Sequence, residues 1–364
     1  MEKNPYEKDF EEYIRHTDAS KKEKTVAWST AIGLQQVDGL KPSSYLYETA
    51  KKNIEGKLSF DEAKNLIDTY YESRSVRSED DERTEEADKV SSRIAQILSE
   101  PSFNFSPSYL IAIHNRLFEG VFKFAGKIRD YDITKKEWVL NGDTVMYGAA
   151  FELKAALDYD FDMERNFKYS SLSKDEIVKH IVYFVSRLWQ IHAFGEGNTR
   201  TTAVFTIKYL RSMGYKVDNN IFAENSWYFR NALVRANYKN LKRGIEEKPI
   251  YLERFFRNLI FGENNELKNR YIHIDYDEYA KKFGENEKDS EKKYGDNQKS
   301  SEIILELLKE NPKLSAKKLS ENIGITSRAV EKQIAMLVKK GFLKREGSPK
   351  GGHWEILNQY GNKE

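Results

Sequence analysis

The stretch His192-Ala193-Phe194-Gly195-Glu196-Gly197-Asn198-Thr199-Arg200 decides how this chain is read. It places a titratable base, a carboxylate, two glycines, an amide and a guanidinium between two apolar helical patterns. Upstream, Ser173 and Glu176 have the spacing of a capping box, and Ile177, Ile181, Val182, Val185, Leu188 and Trp189 keep helical periodicity as far as Ile191. Downstream, Val204, Phe205, Ile207, Leu210 and Met213 repeat the pattern until Gly214. The nine residues therefore read as a tight loop feeding a helix N-terminus. Free backbone N–H groups and the helix dipole favour an anion at such a place, and glycines let the chain approach a phosphate.

His192 at the loop entrance suits a general base near neutral pH. Glu196 can hold a hard cation such as Mg²⁺ through one carboxylate, with substrate phosphates completing the shell. Gly195, Gly197 and the Thr199 backbone would line a phosphate, and Asn198 and Arg200 add donors suited to its oxygens. Together they point to phosphoryl or nucleotidyl transfer. Each residue also has a plainer reading: His192 as a helix C-cap, Glu196 as an acid favoured by the dipole, Phe194 as a core anchor.

The string resembles the signature of the Fic family, HPFxEGNGRxxR, whose members transfer a nucleotide moiety, most often AMP from ATP, to a hydroxyl of a target protein. Tyr109–Arg129 (YLIAIHNRLFEGVFKFAGKIR) resembles the family's helix and AGxxR segment, and Asp130–Asn141 its flap hairpin. The likeness spans most of residues 100 to 260. It implies His192 as the base, Gly195, Gly197, Asn198, Thr199 and Arg200 as the phosphate cradle, Glu196 as the Mg²⁺ ligand, ATP as co-substrate and a hydroxyl-bearing target protein as partner. Arg129 can serve either as a structural ion-pair partner or as a flap determinant.

Three positions depart from the signature: Ala193 for proline, Thr199 for a third glycine, and Ala203 for the second arginine. In the family that arginine binds the terminal phosphate and pairs with an inhibitory glutamate. Near the N-terminus, Val37-Asp38-Gly39 followed by GKLSFDEA resembles the family's antitoxin-like module, with Asp38 in the place of the inhibitory glutamate and Leu34 in that of its Ser or Thr. With both ends of the family's ion pair altered, the clamp is expected to be absent or rebuilt, with Arg200 or Arg235 as substitute cation. Arg230 and Arg235 are also candidates for the missing phosphate charge.

Composition sets the outer limits. The 364 residues, 39% hydrophobic and 32% charged, are enough for two or three domains. The absence of cysteine excludes disulfides and thiolate metal sites and fits a reducing, cytoplasmic setting. No apolar run reaches the roughly 18 residues of a membrane span, and the charged start, MEKNPYEKDFEEY, lacks a secretory core. No membrane partner is expected.

Gly284–Ser300 has nine charged residues among seventeen and no Val, Ile, Leu or Met, so it reads as a solvated linker. Beyond it the charge turns basic, with twelve Lys and Arg against eight acids in residues 300–364, a balance of +4 that leaves about −2 for the rest. There a helix over 301–309, a second to Asn322 and a third carrying Val330, Ile334, Leu337 and Val338 precede a hairpin signature, Leu343-Lys344-Arg345 and His353-Trp354-Glu355-Ile356 about a Gly-Ser-Pro-Lys-Gly-Gly turn. The pattern resembles a winged helix-turn-helix. Ser327, Arg328, Lys332 and Gln333 would face outward as on a recognition helix, with Lys344, Arg345 and Lys350 on the wing.

The expected fold is thus mainly α: a Fic helical domain with a short β-hairpin flap, plus a C-terminal winged helix-turn-helix. Its parts are an inhibitory-module-like region over 1–99, the catalytic domain over 100–283, the linker over 284–300 and the winged helix over 301–364. The expected activity is protein adenylylation. The alternative is a catalytically weak nucleotide binder serving a winged-helix regulator of DNA or protein partners. Oligomeric state is open, a homodimer among the options.

Overall fold

Serine side chains set where many of the helices begin, as short hydroxyls that accept from the first free backbone N–H groups do. The computed structural model describes residues 10, 12–15, 19–73, 78–218, 220–276, 304–305, 307–309, 311–323, 327–339, 341–347 and 352–357. Two compact units emerge, one of residues 1–135 with 145–267, the other of 136–144 with 268–364.

In the first unit, α1 (Ala19–Gly33) runs into a 3₁₀ turn (Leu34–Asp38) that ends at Gly39, φ +65°. Then come α2 (Ser44–Ile54, capped by Ser43), α3 (Phe60–Glu72) and α4 (Glu79–Ser99). Ser59 with Glu62 forms a capping box, and Ser78 with Asp81 makes another. Buried Trp28 ties α1 to α2 by donating to Asn53 Oδ1 at 2.9 Å. Gly33 has a packing reason: a Cβ there would lie 2.3 Å from the carbonyl oxygen of Ala223.

Next follow α5 (Pro107–Phe118), α6 (Leu153–Asn166), α7 (Lys174–Ile191), α8 (Asn198–Ser212), α9 (Ile221–Ala236) and α10 (Ile250–Phe261). The Ser173–Glu176 capping box opens α7 as expected. Phe105, Phe161, Phe184, Phe205 and Tyr209 join in an aromatic cluster among α6, α7 and α8. Helix α8 is buried nearly all round, from Asn198 to Leu210. Such a helix is a fixed beam on which a loop can be held accurately.

The expected β-hairpin flap has no strand ladder over 128–140. Residues 132–137 have no regular structure, and the chain reverses through a 3₁₀ turn (Trp138–Leu140) closed by the Glu137 N–H donating to the Asp143 carbonyl at 2.9 Å. Two extended segments with no neighbouring sheet gain little from pairing alone, which accounts for the difference. This reversal belongs to the second unit, where the Trp138 ring meets the His273 ring edge-on at 5.0 Å.

The second unit also holds α11 (Ala316–Ile323), α12 (Ser327–Lys339) and an antiparallel pair, β1 (Leu343–Glu346) and β2 (His353–Ile356), with Leu343 opposite Ile356. Ile304, Leu308, Leu319, Val330, Ile334, Leu337 and Leu343 form its core. Val338, expected in the apolar stripe, is exposed, because its helical angle places it at the stripe's edge. The linker 284–300 lies outside the described residues. Among those described, no helix is long and apolar enough to cross a membrane.

Candidate active site

His192 ends α7 in the left-handed conformation, φ 51° and ψ 55°, so it is the helix C-cap as well as the first residue of the loop. The ring is 3% exposed and lies against Tyr147, centroids 4.2 Å apart, with Trp189 edge-on at 5.4 Å. Burial pushes its pKa well below the usual histidine range. The charges of Lys135, Arg230 and Arg129 add to that effect, against a smaller opposing pull from the Trp189 carbonyl. A carbonyl can only accept, so the 3.3 Å contact between Nδ1 and the Trp189 oxygen puts the proton on Nδ1. Nε2 is left as a bare lone pair and has no hydrogen-bond partner among the described residues. A neutral imidazole with an unpartnered Nε2 is in the protonation state a base needs, and in this conformation the atom is buried.

The loop is held from three sides. Asn198 spans it, accepting from the Phe194 N–H at 3.0 Å and donating to the Phe194 carbonyl at 2.7 Å. Oδ1 and one Nδ2 hydrogen thus close the loop, and the amide carries a second N–H besides, the donor type the sequence assigned to phosphate. Thr199, in the first turn of α8, accepts from the Trp189 indole at 3.0 Å. Its helical position explains why a β-branched residue is tolerated in place of a third glycine. Arg129 donates to the carbonyls of His192 (2.8 Å), Tyr131 and Gly148, and its own backbone N–H donates to Ala193. Its acid neighbour is Asp132, 3.9 Å away.

His114, within the Tyr109–Arg129 stretch, joins two motif segments. The Gly126 N–H donates to its Nδ1 at 2.9 Å, which puts the proton on Nε2, 3.0 Å from the Glu196 carbonyl. Its ring stacks on Phe194 at 3.8 Å, and burial lowers its pKa to about 4.

The two glycines meet aromatic side chains. A Cβ on Gly195 would lie 2.6 Å from the Tyr131 hydroxyl, and one on Gly197, φ +77°, 2.4 Å from the Phe118 ring. Close approach to protein is thus one reason these positions lack side chains. Gly197 precedes α8 with no side-chain cap, so the first-turn amides keep no side-chain acceptor, as an anion cradle requires.

Glu196 has a side chain 42% exposed, with both carboxylate oxygens 3.0 Å from Lys135 Nζ. Burial raises its pKa, but the Lys135 charge and hydrogen bonds and the Gly197 N–H outweigh that and hold it below the usual range. The carboxylate is ionised, as a metal ligand must be. No group of three or more His, Cys, Asp or Glu with metal-holding geometry occurs among the described residues. A metal on Glu196 would take its other ligands from substrate phosphates and water.

Arg200 is completely buried and caged. Its Nε lies 2.9 Å from Asp38 Oδ2, its Nη2 donates to Glu86 at 2.6 Å and its Nη1 to Gln35 at 3.1 Å, while the guanidinium carbon sits over the Phe118 ring at 4.8 Å. Asp38 thus has a cation partner despite Ala203, and the partner is Arg200. Arg235 reaches the Glu246 carbonyl at 3.5 Å instead. Gln35 and Glu86 carried no signal in the sequence, lying 165 and 114 residues from Arg200.

On the second unit, Ser327, Arg328, Lys332 and Gln333 all belong to α12. Gln333 is half-buried rather than outward, while the side chains of the other three lie outside the described residues. Lys344 and Arg345 are exposed on β1, Arg345 stacking over Trp354 at 5.0 Å, and Lys350 lies outside the described residues.

Comparison with known proteins bears on both units. Residues 104–210 match the family model of the Fic/DOC family, and residues 300–344 that of the winged helix-turn-helix DNA-binding family. The chain therefore carries a Fic/DOC segment followed by a winged helix-turn-helix. It is 28% identical over 117 residues to the protein adenylyltransferase VbhT of Bartonella schoenbuchensis, covering 32% of this chain and 23% of the relative. To the probable protein adenylyltransferase y4lH of Sinorhizobium fredii it is 26% identical over 145 residues, covering 40% of this chain and 71% of the relative. Among solved structures, it is similar to the N-terminal FIC domain of Bep8 from Bartonella sp. 1-1C (TM-score 0.40, 21% identity, 52% of this chain and 88% of that one). A Fic family protein from Desulfovibrio desulfuricans G20 aligns at TM-score 0.41 and 12% identity over 99% of this chain and 98% of that one.

Proposed function

We propose that this chain is a Fic-type protein nucleotidyltransferase that moves AMP from ATP to a hydroxyl side chain of a target protein. One observation carries the reading: His192 is neutral and rigidly held, and its unprotonated Nε2 is without a partner among the described residues. That atom would take the proton of a Ser, Thr or Tyr hydroxyl as its oxygen attacks the α-phosphate, with pyrophosphate leaving. The free amides at the start of α8, beside Gly195 and Gly197, would stabilise charge on the phosphate oxygens by donors already in position. Glu196, ionised and partly exposed, fits as the protein's ligand to Mg²⁺. Bound there with the nucleotide, Mg²⁺ would neutralise charge across the phosphates. Asn198 shapes the loop, and Arg200 would act only once it leaves its cage, which makes Asp38, together with Glu86, the inhibitory element.

A second reading keeps nucleotide binding without efficient transfer, with the Fic segment serving the winged helix as a regulator. The caging of Arg200 and the alanine at position 203 favour it. In either case α12 and the wing are proposed to contact duplex DNA, with the residues 1–99, 100–283, 284–300 and 301–364 as the working division of the chain. The deciding experiment incubates the full chain with α-labelled ATP and Mg²⁺, with and without cell lysate. Label on protein that disappears in His192→Ala supports the transferase. Tight nucleotide binding with no covalent label in any mixture leaves the regulator reading.

A further inference from the structure

Lys135 stands where a cation bound to Glu196 would stand. Its ammonium is equidistant from the two carboxylate oxygens, at 3.0 Å each, and its charge reaches His192 as well. The lysine is about a quarter exposed and lies in residues 132–137, which have no regular secondary structure. An ion pair between two partly exposed side chains contributes little to stability, so this pair needs little compensation to open.

We propose that Lys135 is a built-in counter-cation, keeping Glu196 closed to free divalent metal until a polyphosphate arrives to take up the ammonium. The inference rests on the reading of Glu196 as the metal ligand. A divalent ion approaching the bare site must displace the ammonium and then remain close to it, with repulsion and a lost ion pair to overcome. A nucleotide carrying its metal brings several negative charges at once. Lys135 can exchange Glu196 for a phosphate oxygen, and Glu196 is released to the metal. The site then fills with metal and nucleotide together, which keeps an empty active site from being loaded with metal alone.

Mn²⁺ binding to the full chain, measured by electron paramagnetic resonance without nucleotide, tests this directly. Lys135→Gln is expected to bind Mn²⁺ about tenfold more tightly than the parent, or better. Lys135→Arg, which keeps the charge, should remain near the parent, and adding Glu196→Gln to Lys135→Gln should abolish the gain. If Lys135→Gln binds no more tightly than the parent while Glu196→Gln weakens binding, the counter-cation role is wrong and the metal role of Glu196 stands. If Glu196→Gln changes nothing in either background, the metal role falls and the inference falls with it.

Discussion

Releasing Arg200 is the perturbation with the sharpest expected consequence. The guanidinium is fully buried and faces two acids, Asp38 and Glu86, with 25% and 19% of their side chains exposed. Removing Asp38 alone leaves Arg200 paired one-to-one with Glu86 and still bonded to Gln35, so the loss should be about 1–2 kcal/mol, the scale of one charged contact. If Arg200 must leave the cage to serve the phosphates, that loss raises the released population about 5–30-fold. Asp38→Ala is therefore expected to increase the initial rate of self-labelling from α-labelled ATP within that range at subsaturating nucleotide. Glu86→Ala should do much the same. The double variant leaves a buried guanidinium facing only neutral groups, which should cost about 3–5 kcal/mol of folding stability. Its melting temperature should fall clearly while its labelling rate, measured below that temperature, exceeds either single variant. Variants that melt lower yet label no faster than the parent would refute the argument, because the cage would then hold the fold and nothing else.

Other expectations follow from the titrating groups and the winged helix. Because the folded pKa of His192 lies well below 6.5, the base stays neutral across the ordinary histidine range, and labelling should not show an acidic limb near pH 6.5. A single-proton loss of rate centred there would mean that another group limits the reaction. His114, with a folded value of about 4 against 6.5, contributes stability that is complete above pH 6.5 and lost as pH falls towards 4. His114→Phe keeps a ring against Phe194 but orphans the Gly126 N–H and the Glu196 carbonyl. It should lower stability at pH 7 by about 2 kcal/mol in urea titrations and narrow the gap to the parent at pH 5. A constant gap at both pH values would contradict this. Duplex DNA bound by the full chain should release as salt rises, and Lys344→Ala with Arg345→Ala should flatten that dependence. An unchanged slope would remove the wing from the interface.

What was legible in the sequence was local. The capping boxes at Ser59 and Ser173 need only a serine and a glutamate three residues apart, so they could be read from spacing and were formed. The winged helix likewise follows from apolar periodicity and a hairpin turn, with Val338 missed because periodicity marks a stripe and not its edge. Strand-like alternation around 128–140 misled, since alternation records which side chains can share a face and says nothing about whether a partner strand exists. His192 could be read as either a helix cap or a site residue, and the two readings are not exclusive. The left-handed cap conformation is what turns the ring into its slot beside Tyr147.

The cage around Arg200 marks the limit of that kind of reading, and physical chemistry narrows it further than the motif does. Seen through the signature, Ala203 removes the partner of the inhibitory acid and the clamp is lost. A different constraint applies in the folded chain, where α8 is buried on nearly every side and a guanidinium inside it must be neutralised. Some acid had to approach Arg200, whatever occupied position 203. Asp38 was recognisable as one acid of the right kind from its neighbours Val37 and Gly39. Glu86 was not, because its role depends on α4 lying against the start of α8, a packing relation that has no trace in the residues around it. Motif absence therefore argued against one ion pair, while burial required another to replace it. That replacement couples the N-terminal helices to the loop of His192 through a single side chain, Arg200, just eight positions along the same motif.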